Sequence, residues 1–397
     1  MRIFLLSGSR AEYGSQKRLI KLLSEDSFFD LRLIVTGTHL SESHGFTLRE
    51  LIEDGIVPSY KIKVDIGSPS SKATATSFSS ILTEMSTVFQ NERPDLLLLV
   101  GDRFETLATA LAALFLNIPI AHVHGGEVTE GAFDDAIRHS LTKMSHFHFV
   151  ANEEFKRRVV QLGEDPKQVH VVGGLGIDSI ANTSLLSRIE VEKALGREIK
   201  EKAFLVTFHP TTNEGSDSLD HAKFLFDALD AYPDFQVIFT MPNADPLGLE
   251  LGEMIREYAA HNSNVSVFDS LGQRLYLSCI PFMKCVIGNS SSGLSEVPSF
   301  GIPTVNIGIR QKGRPEASSV VTTGNSTAEI IVGIDKALSR DFQLDSKSAR
   351  NPFGVEGAAI KIFTTLKSLD LKLMRTKSFY DLTESYKLLT SYPPHIE

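Results

Sequence analysis

Short runs of aliphatic residues alternate along this chain with longer segments in which apolar positions recur every three or four residues. That alternation is the signature of parallel sheets joined by helical crossovers. Continuous apolar runs at residues 3–6, 31–35, 96–100, 119–123, 147–150 and 169–172 predict strands covered on both faces. Helical spacing falls between them at 48–54, 78–91, 106–116, 135–144 and 153–162. After Gly173, Gly174, Leu175 and Gly176 the alternation restarts, and runs at 204–208, 236–241, 265–268, 285–288 and 304–307 predict a second set of strands.

The reading is therefore an α/β protein of two doubly wound parallel-sheet domains with a cleft between them, the boundary lying near residues 173–180. We assign 1–175 to the first domain, 176–368 to the second and 369–397 to a tail. The tail carries no strand signal and is expected to be a helix packing back across both domains. A length of 397 residues fits this division, since it exceeds what one core usually supports.

Composition narrows the function classes. A hydrophobic fraction of 42% and a charged fraction of 22% are ordinary for a soluble globular protein. No window approaches the roughly 18 apolar residues of a membrane span, and the opening residues lack a signal peptide's apolar region. We expect a cytoplasmic protein. The net charge of −9 argues against non-specific nucleic-acid binding. Cys279 and Cys285 lie in apolar sequence without a CxxC pair, so buried free thiols are expected.

The unusual polar clusters all follow predicted strands, where open α/β sheets bind ligands. Ser7, Gly8, Ser9 and Arg10 follow the first strand, Asp102 and Arg103 the third, and His122 to Glu127 the fourth; His209, Asn243 and residues 289–293 repeat the pattern in the second domain. Asp102, His124, Glu127 and Asp134 are the candidate acids and bases, because clustered titratable groups shift one another's pKa toward working pH. Metal ligation by His122, His124 and Glu127 is disfavoured, since alternate strand residues point to opposite faces; His122 reads as a core histidine. His39, His44, His146 and His148 read as structural or surface groups.

Gly288, Asn289, Ser290, Ser291, Ser292 and Gly293 form a small-residue turn opening a predicted helix, which suits a diphosphate. Ordinary helix capping explains one serine but not three flanked by glycines. Glu296, further along, either accepts hydrogen bonds from ribose hydroxyls or is a solvated glutamate near a helix start. Arg10 either holds a phosphate by paired hydrogen bonds or is a surface arginine. Arg103, His209 and Arg310 are further donors for an anion. Gly8, Ser9, Arg10 is not a GxGxxG fingerprint and no P-loop occurs, so a dinucleotide cofactor is not expected.

In this order, the motifs resemble the hydrolysing UDP-N-acetylglucosamine 2-epimerases of sialic acid and legionaminic acid biosynthesis. The resemblance runs over Gly8, Ser9, Arg10, Ala11, Glu12 and Tyr13, then 101–105, 125–127, 134–139, 208–210, 288–296 and 309–314. It implies Rossmann-like domains of the glycosyltransferase B type, no metal or nicotinamide, and a homodimer or homotetramer. It implies acid/base roles for Asp102 and Asp134, and UDP contacts for Arg10, Arg103, His209, Ser290, Ser291, Glu296 and Arg310. Several relatives carry a catalytic glutamate where this chain has His124, so either His124 or Glu127 would take over that proton transfer. The implied reaction expels UDP from C1, removes the C2 proton to give a 2-acetamidoglycal, and adds water with inverted C2. The substrate is UDP-N-acetylglucosamine or the UDP-linked 2,4-diacetamido-2,4,6-trideoxy sugar. A non-hydrolysing epimerase and a UDP-sugar glycosyltransferase are the competing readings.

Overall fold

The computed structural model describes residues 1–42, 46–64, 71–129, 133–210, 217–242, 246–369 and 377–382. Its first sheet contains β1 (Arg2–Ser7), β2 (Asp30–Val35), β3 (Tyr60–Lys61), β4 (Leu96–Val100), β5 (Ile120–Val123), β6 (Phe147–Val150) and β7 (Val169–Val171). All pairings are parallel, in the order β3-β2-β1-β4-β5-β6-β7. The second sheet contains β8 (Ala203–Thr207), β9 (Gln236–Thr240), β10 (Val265–Phe268), β11 (Cys285–Gly288), β12 (Thr304–Ile307) and β13 (Val320–Thr323). It too is wholly parallel, in the order β10-β9-β8-β11-β12-β13. The order in which strands are added reverses once in each sheet, between β1 and β4 and between β8 and β11, and such switch points are where α/β sheets open a crevice.

β4 shows why the apolar runs become central strands. Leu96, Leu98 and Val100 enter the core on one face, with Leu19 and Leu23 of the helix Arg10–Glu25. Leu97 and Leu99 enter the other, with Ile81, Met85 and Phe89 of the helix Ser71–Asn91. Each buried side chain contributes about 1.5–3 kcal/mol, and only a strand covered on both sides collects it at every position.

Two strands escaped the sequence pattern. β3 has only two residues, and β13 is an edge strand that alternates in burial and ends in threonines. The helix Ser71–Asn91 also starts seven residues before the predicted 78, because its first two turns are small and polar.

The chain forms two compact units that separate at Ser179 and Ile180, and it returns to the first unit at Gly354. That return was absent from the expected second domain of 176–368. The helix Ala358–Ser368 inserts Ala358, Ala359, Ile362 and Leu366 into the core of the first unit. The buried Asp178 anchors it, accepting from the amides of Gly357 (2.7 Å) and Ala359 (3.0 Å) while paired with Arg18 (2.9 Å). Of the tail, residues 377–382 contain no helix and lie against the first unit, where Lys377 bonds to residues 142–145; the remainder lies outside the described residues. No described helix is long and apolar enough to cross a membrane. Cys279 and Cys285 are buried and unbridged.

Candidate functional site

In the first unit the chain leaves β4 at Gly101, in the left-handed region (φ +80°). Its amide donates to the carbonyl of Val123 (3.1 Å), and its carbonyl accepts from His122 Nε2 (2.8 Å). Burial pushes the pKa of His122 down to about 3, so this core histidine is a neutral clamp on the turn. The next residue, Asp102, hydrogen-bonds to Arg138 on the helix Phe133–Met144. Arg138 is 3% exposed and also bonds Asp135 (3.0 Å), one turn back, and the carbonyl of Glu127 (3.0 Å). Arg103 goes elsewhere, to Glu105 (3.2 Å) and toward Glu12 (3.7 Å).

Asp134 is half-buried beside this network. Burial, and then the charge of Asp102, raise its pKa above the usual carboxylate range. A carboxyl shifted toward its protonated form therefore stands next to a guanidinium-bound carboxylate.

His124 lies one residue past β5 in the left-handed region (φ +72°), so strand alternation does not govern where it points. Its Nδ1 is 2.9 Å from Glu127 Oε1. A carboxylate only accepts, so this bond places the ring proton on Nδ1 and the lone pair on Nε2. Between them Gly126 (φ +81°) passes so close to the Phe155 carbonyl that a Cβ would lie 2.4 Å from it. Arg158 binds the Gly126 carbonyl, which fixes the turn from below.

Past β1, Ser9 caps the helix Arg10–Glu25 and Glu12 accepts the Gly8 amide (2.7 Å). Burial pushes the Glu12 carboxyl up to about 7, with Arg103 opposing the rise. Arg10 sits in a half-exposed ion pair with Glu50 (2.9 Å).

In the second unit, β8 and β11 end side by side. Gly288 (φ +136°) approaches Thr207 so closely that a Cβ would lie 2.0 Å from its carbonyl. Asn289 is buried and pairs with the His209 backbone in both directions, accepting from its amide (2.7 Å) and donating to its carbonyl (2.8 Å). The Asn289 carbonyl accepts from Arg310 (2.9 Å) and Gln311 (2.8 Å). His209, Asn289 and Arg310 are thereby brought together around the serine turn. Burial, and then Arg310, push His209 down to about 4.

The helix expected after this turn is a single one, Ser292–Ser295, followed by a 3-10 turn at Val297–Phe300. Pro298 lacks the amide that continuation would need. Anion binding there would draw on the turn's own amides and the half-buried hydroxyls of Ser290 and Ser291 rather than on a long helix dipole. Glu296 caps the short helix as a largely buried carboxyl, not a solvated one, and burial raises its pKa. Beside it lies the hydroxyl of Tyr276, pushed above its ordinary value by burial and by Glu296. Asn243 lies outside the described residues, as does His44. His39 is buried between Ser7 and Thr47 (both 2.9 Å), and His148 between sheet and Glu164 (3.0 Å).

Sequence reasoning missed Arg138 and Glu12 as members of the first cluster and Tyr276 beside the second. The spacing Asp135, Arg138 was the available signal for the first.

Two parallel sheets with polar turns at their strand ends make this an α/β protein of the glycosyltransferase B type. Within that class the chain belongs to the UDP-N-acetylglucosamine 2-epimerase family, whose pattern it matches over residues 21–367. It is 36% identical over 383 residues to the GDP/UDP-N,N'-diacetylbacillosamine 2-epimerase (hydrolyzing) of Campylobacter jejuni, covering 96% of this chain and 99% of that one. It is 35% identical over 385 residues to the polysialic acid biosynthesis protein P7 of Escherichia coli, covering 96% and 98%. In fold it is similar to the crystal structure of UDP-GlcNAc 2-epimerase from Neisseria meningitidis bound to UDP-GlcNAc, with a TM-score of 0.79 and 20% identity over 92% of this chain and 99% of that one.

Proposed function

We propose that this chain is a hydrolysing UDP-N-acetylglucosamine 2-epimerase, converting its substrate to UDP and N-acetylmannosamine. The observation that carries the reading is the Arg138 bridge. It holds the carboxylate of Asp102 in place beside the protonatable Asp134, as removal and return of one C2 proton on opposite faces require. In the first step Asp102 takes the C2 proton; the C2–H electrons form the C1=C2 bond, and the C1–O electrons leave with UDP. Most of the barrier lies in expelling the diphosphate, so donors must meet the charge that develops there. Arg10, Arg103, His209, Ser290, Ser291 and Arg310 supply them, and Glu296 accepts from the ribose. In the second step Asp134 protonates C2 from the other face. His124, oriented by Glu127, takes a proton from the water whose oxygen bonds C1.

The same chemistry on the UDP-linked 2,4-diacetamido-2,4,6-trideoxy sugar is the second reading, favoured by the 36% identity to the Campylobacter jejuni enzyme. Incubating the protein with each UDP-sugar in deuterated water and following products by NMR tests both. Free UDP with a free manno-configured sugar deuterated at C2 is the expected result, and the sugar that yields it names the substrate. A C2-inverted sugar still joined to UDP would make the enzyme non-hydrolysing. UDP formed only on adding an acceptor would make it a transferase.

A further inference from the structure

The helix Phe133–Met144, which carries Asp134, Asp135 and Arg138, ends at an unusual cap. A helix leaves its last carbonyls without intrahelical partners. Here Lys377, from the described stretch 377–382 near the C-terminus, reaches the carbonyls of Thr142 (3.2 Å), Lys143 (2.6 Å) and Ser145 (2.6 Å). Its ammonium also lies 2.6 Å from Glu164 Oε2.

Glu164 is 3% exposed and accepts from His148 (3.0 Å) and Lys143 (2.6 Å) as well. Against the effect of burial, hydrogen bonds from His148, Lys143 and Lys377 hold its carboxyl down at about 2. Two further contacts seat the stretch. The Tyr380 amide donates to the Gly163 carbonyl (2.9 Å), and the Phe379 ring fills the space over Gly163, where a Cβ would lie 2.3 Å from a ring carbon. Lys143 Nζ stands 4.8 Å from the centre of that ring.

We propose that this C-terminal strap sets the position of the helix for the reaction, with Lys377 as a positioning residue acting through Arg138. The inference rests on the acid/base reading above. Arg138 and Ser145 are about 10 Å apart along the helix axis, and Thr142 links the two ends by donating to the Arg138 carbonyl (3.1 Å). A guanidinium bonds in a fixed fork, so a small shift of the helix misdirects its contact with Asp102. Without Lys377 the carbonyls of Lys143 and Ser145 lose this donor, that of Thr142 is left with the Ser145 amide (3.2 Å), and a buried carboxylate loses one of its cations, which loosens that end of the helix.

The test uses the full chain with Lys377→Met, which keeps most of the alkyl length, Lys377→Arg, and the milder Phe379→Ala. UDP release is measured on whichever UDP-sugar the wild type turns over, and amide hydrogen exchange is followed over residues 133–146. Lys377→Met is expected to lower kcat at least tenfold with KM within twofold, and to speed exchange in the last helical turn. Lys377→Arg should recover most of the loss, and Phe379→Ala should show the same kcat-only pattern at smaller size if the methionine variant does not fold. Unchanged kcat, a loss confined to KM, or unchanged exchange would overturn the proposal. Exchange needs no substrate, so a wild type that turns over neither UDP-sugar would refute the reaction while leaving the helix contact to be judged separately.

Discussion

Asp102 is bound to Arg138, 36 residues further along, while its own neighbour Arg103 turns away to Glu105. Arg138 is buried and holds Asp102 by a fixed guanidinium fork, so removing it frees that carboxylate to turn away. Arg138→Met should therefore reduce kcat by two or more orders of magnitude, and Asp102→Asn should do likewise. Both should still bind UDP with near wild-type affinity in calorimetry, since neither Asp102 nor Arg138 is among the donors assigned to the nucleotide. Normal turnover in Asp102→Asn would remove it as the base.

His124 and Glu127 differ in what their loss should do. His124→Gln removes the proton carrier and should nearly abolish UDP release. Glu127→Gln keeps a partner for Nδ1 and should cost only about tenfold. Equal losses, or a mild His124→Gln, would reverse the assignment.

Glu12 predicts a pH dependence of stability. In the folded chain its carboxyl keeps a proton to about pH 7, whereas the ordinary value is 4.5. The folded state binds more protons across that interval, so this group's contribution is full below about 4.5 and is lost as the pH rises toward 7. Glu12→Gln should gain on the wild type by roughly 3 kcal/mol between those limits, read from denaturant melts at a series of pH values. A difference between the two proteins that does not vary with pH would contradict the prediction.

Gly288 and Gly196 form a matched pair of alanine tests. Both have positive φ, but a Cβ at Gly288 would lie 2.0 Å from a carbonyl while nothing lies within 4 Å at Gly196. Gly288→Ala should destabilise by about 3 kcal/mol or more and weaken UDP binding. Gly196→Ala should cost about 1 kcal/mol and leave binding alone.

The thiols should be inert. Burial pushes Cys279 up to about 12 and Cys285 higher still. Neither should react with a disulfide reagent at pH 8 until the protein is unfolded.

The sequence was most legible where burial on both faces forces an unbroken apolar run. The strands predicted at 96–100, 147–150, 265–268, 285–288 and 304–307 coincide with β4, β6, β10, β11 and β12. Turn chemistry was legible too, because glycines such as Gly101 and Gly288 stand where the backbone needs positive φ. What escaped were contacts made across the fold. Arg138 looks like one charge on the polar side of an amphipathic helix, and only the turn after β4 makes it the partner of Asp102. Lys377 sits in sequence with no periodicity, and its meaning comes wholly from the carbonyls it reaches. His124 defeated an alternation rule because its backbone leaves the strand before its side chain is set.

The return of the chain to the first unit has a consequence for synthesis. Ala358, Ala359, Ile362 and Leu366 belong to the same core as Ile3 and Leu5, so the first unit lacks a wall of its interior until residues 358–366 have been made. The second unit, drawn almost wholly from Ile180–Phe353, has no such dependence and is free to fold first. A fragment ending before Gly354 should therefore hold a folded second unit and an aggregation-prone first one, an order opposite to that in which the two were translated.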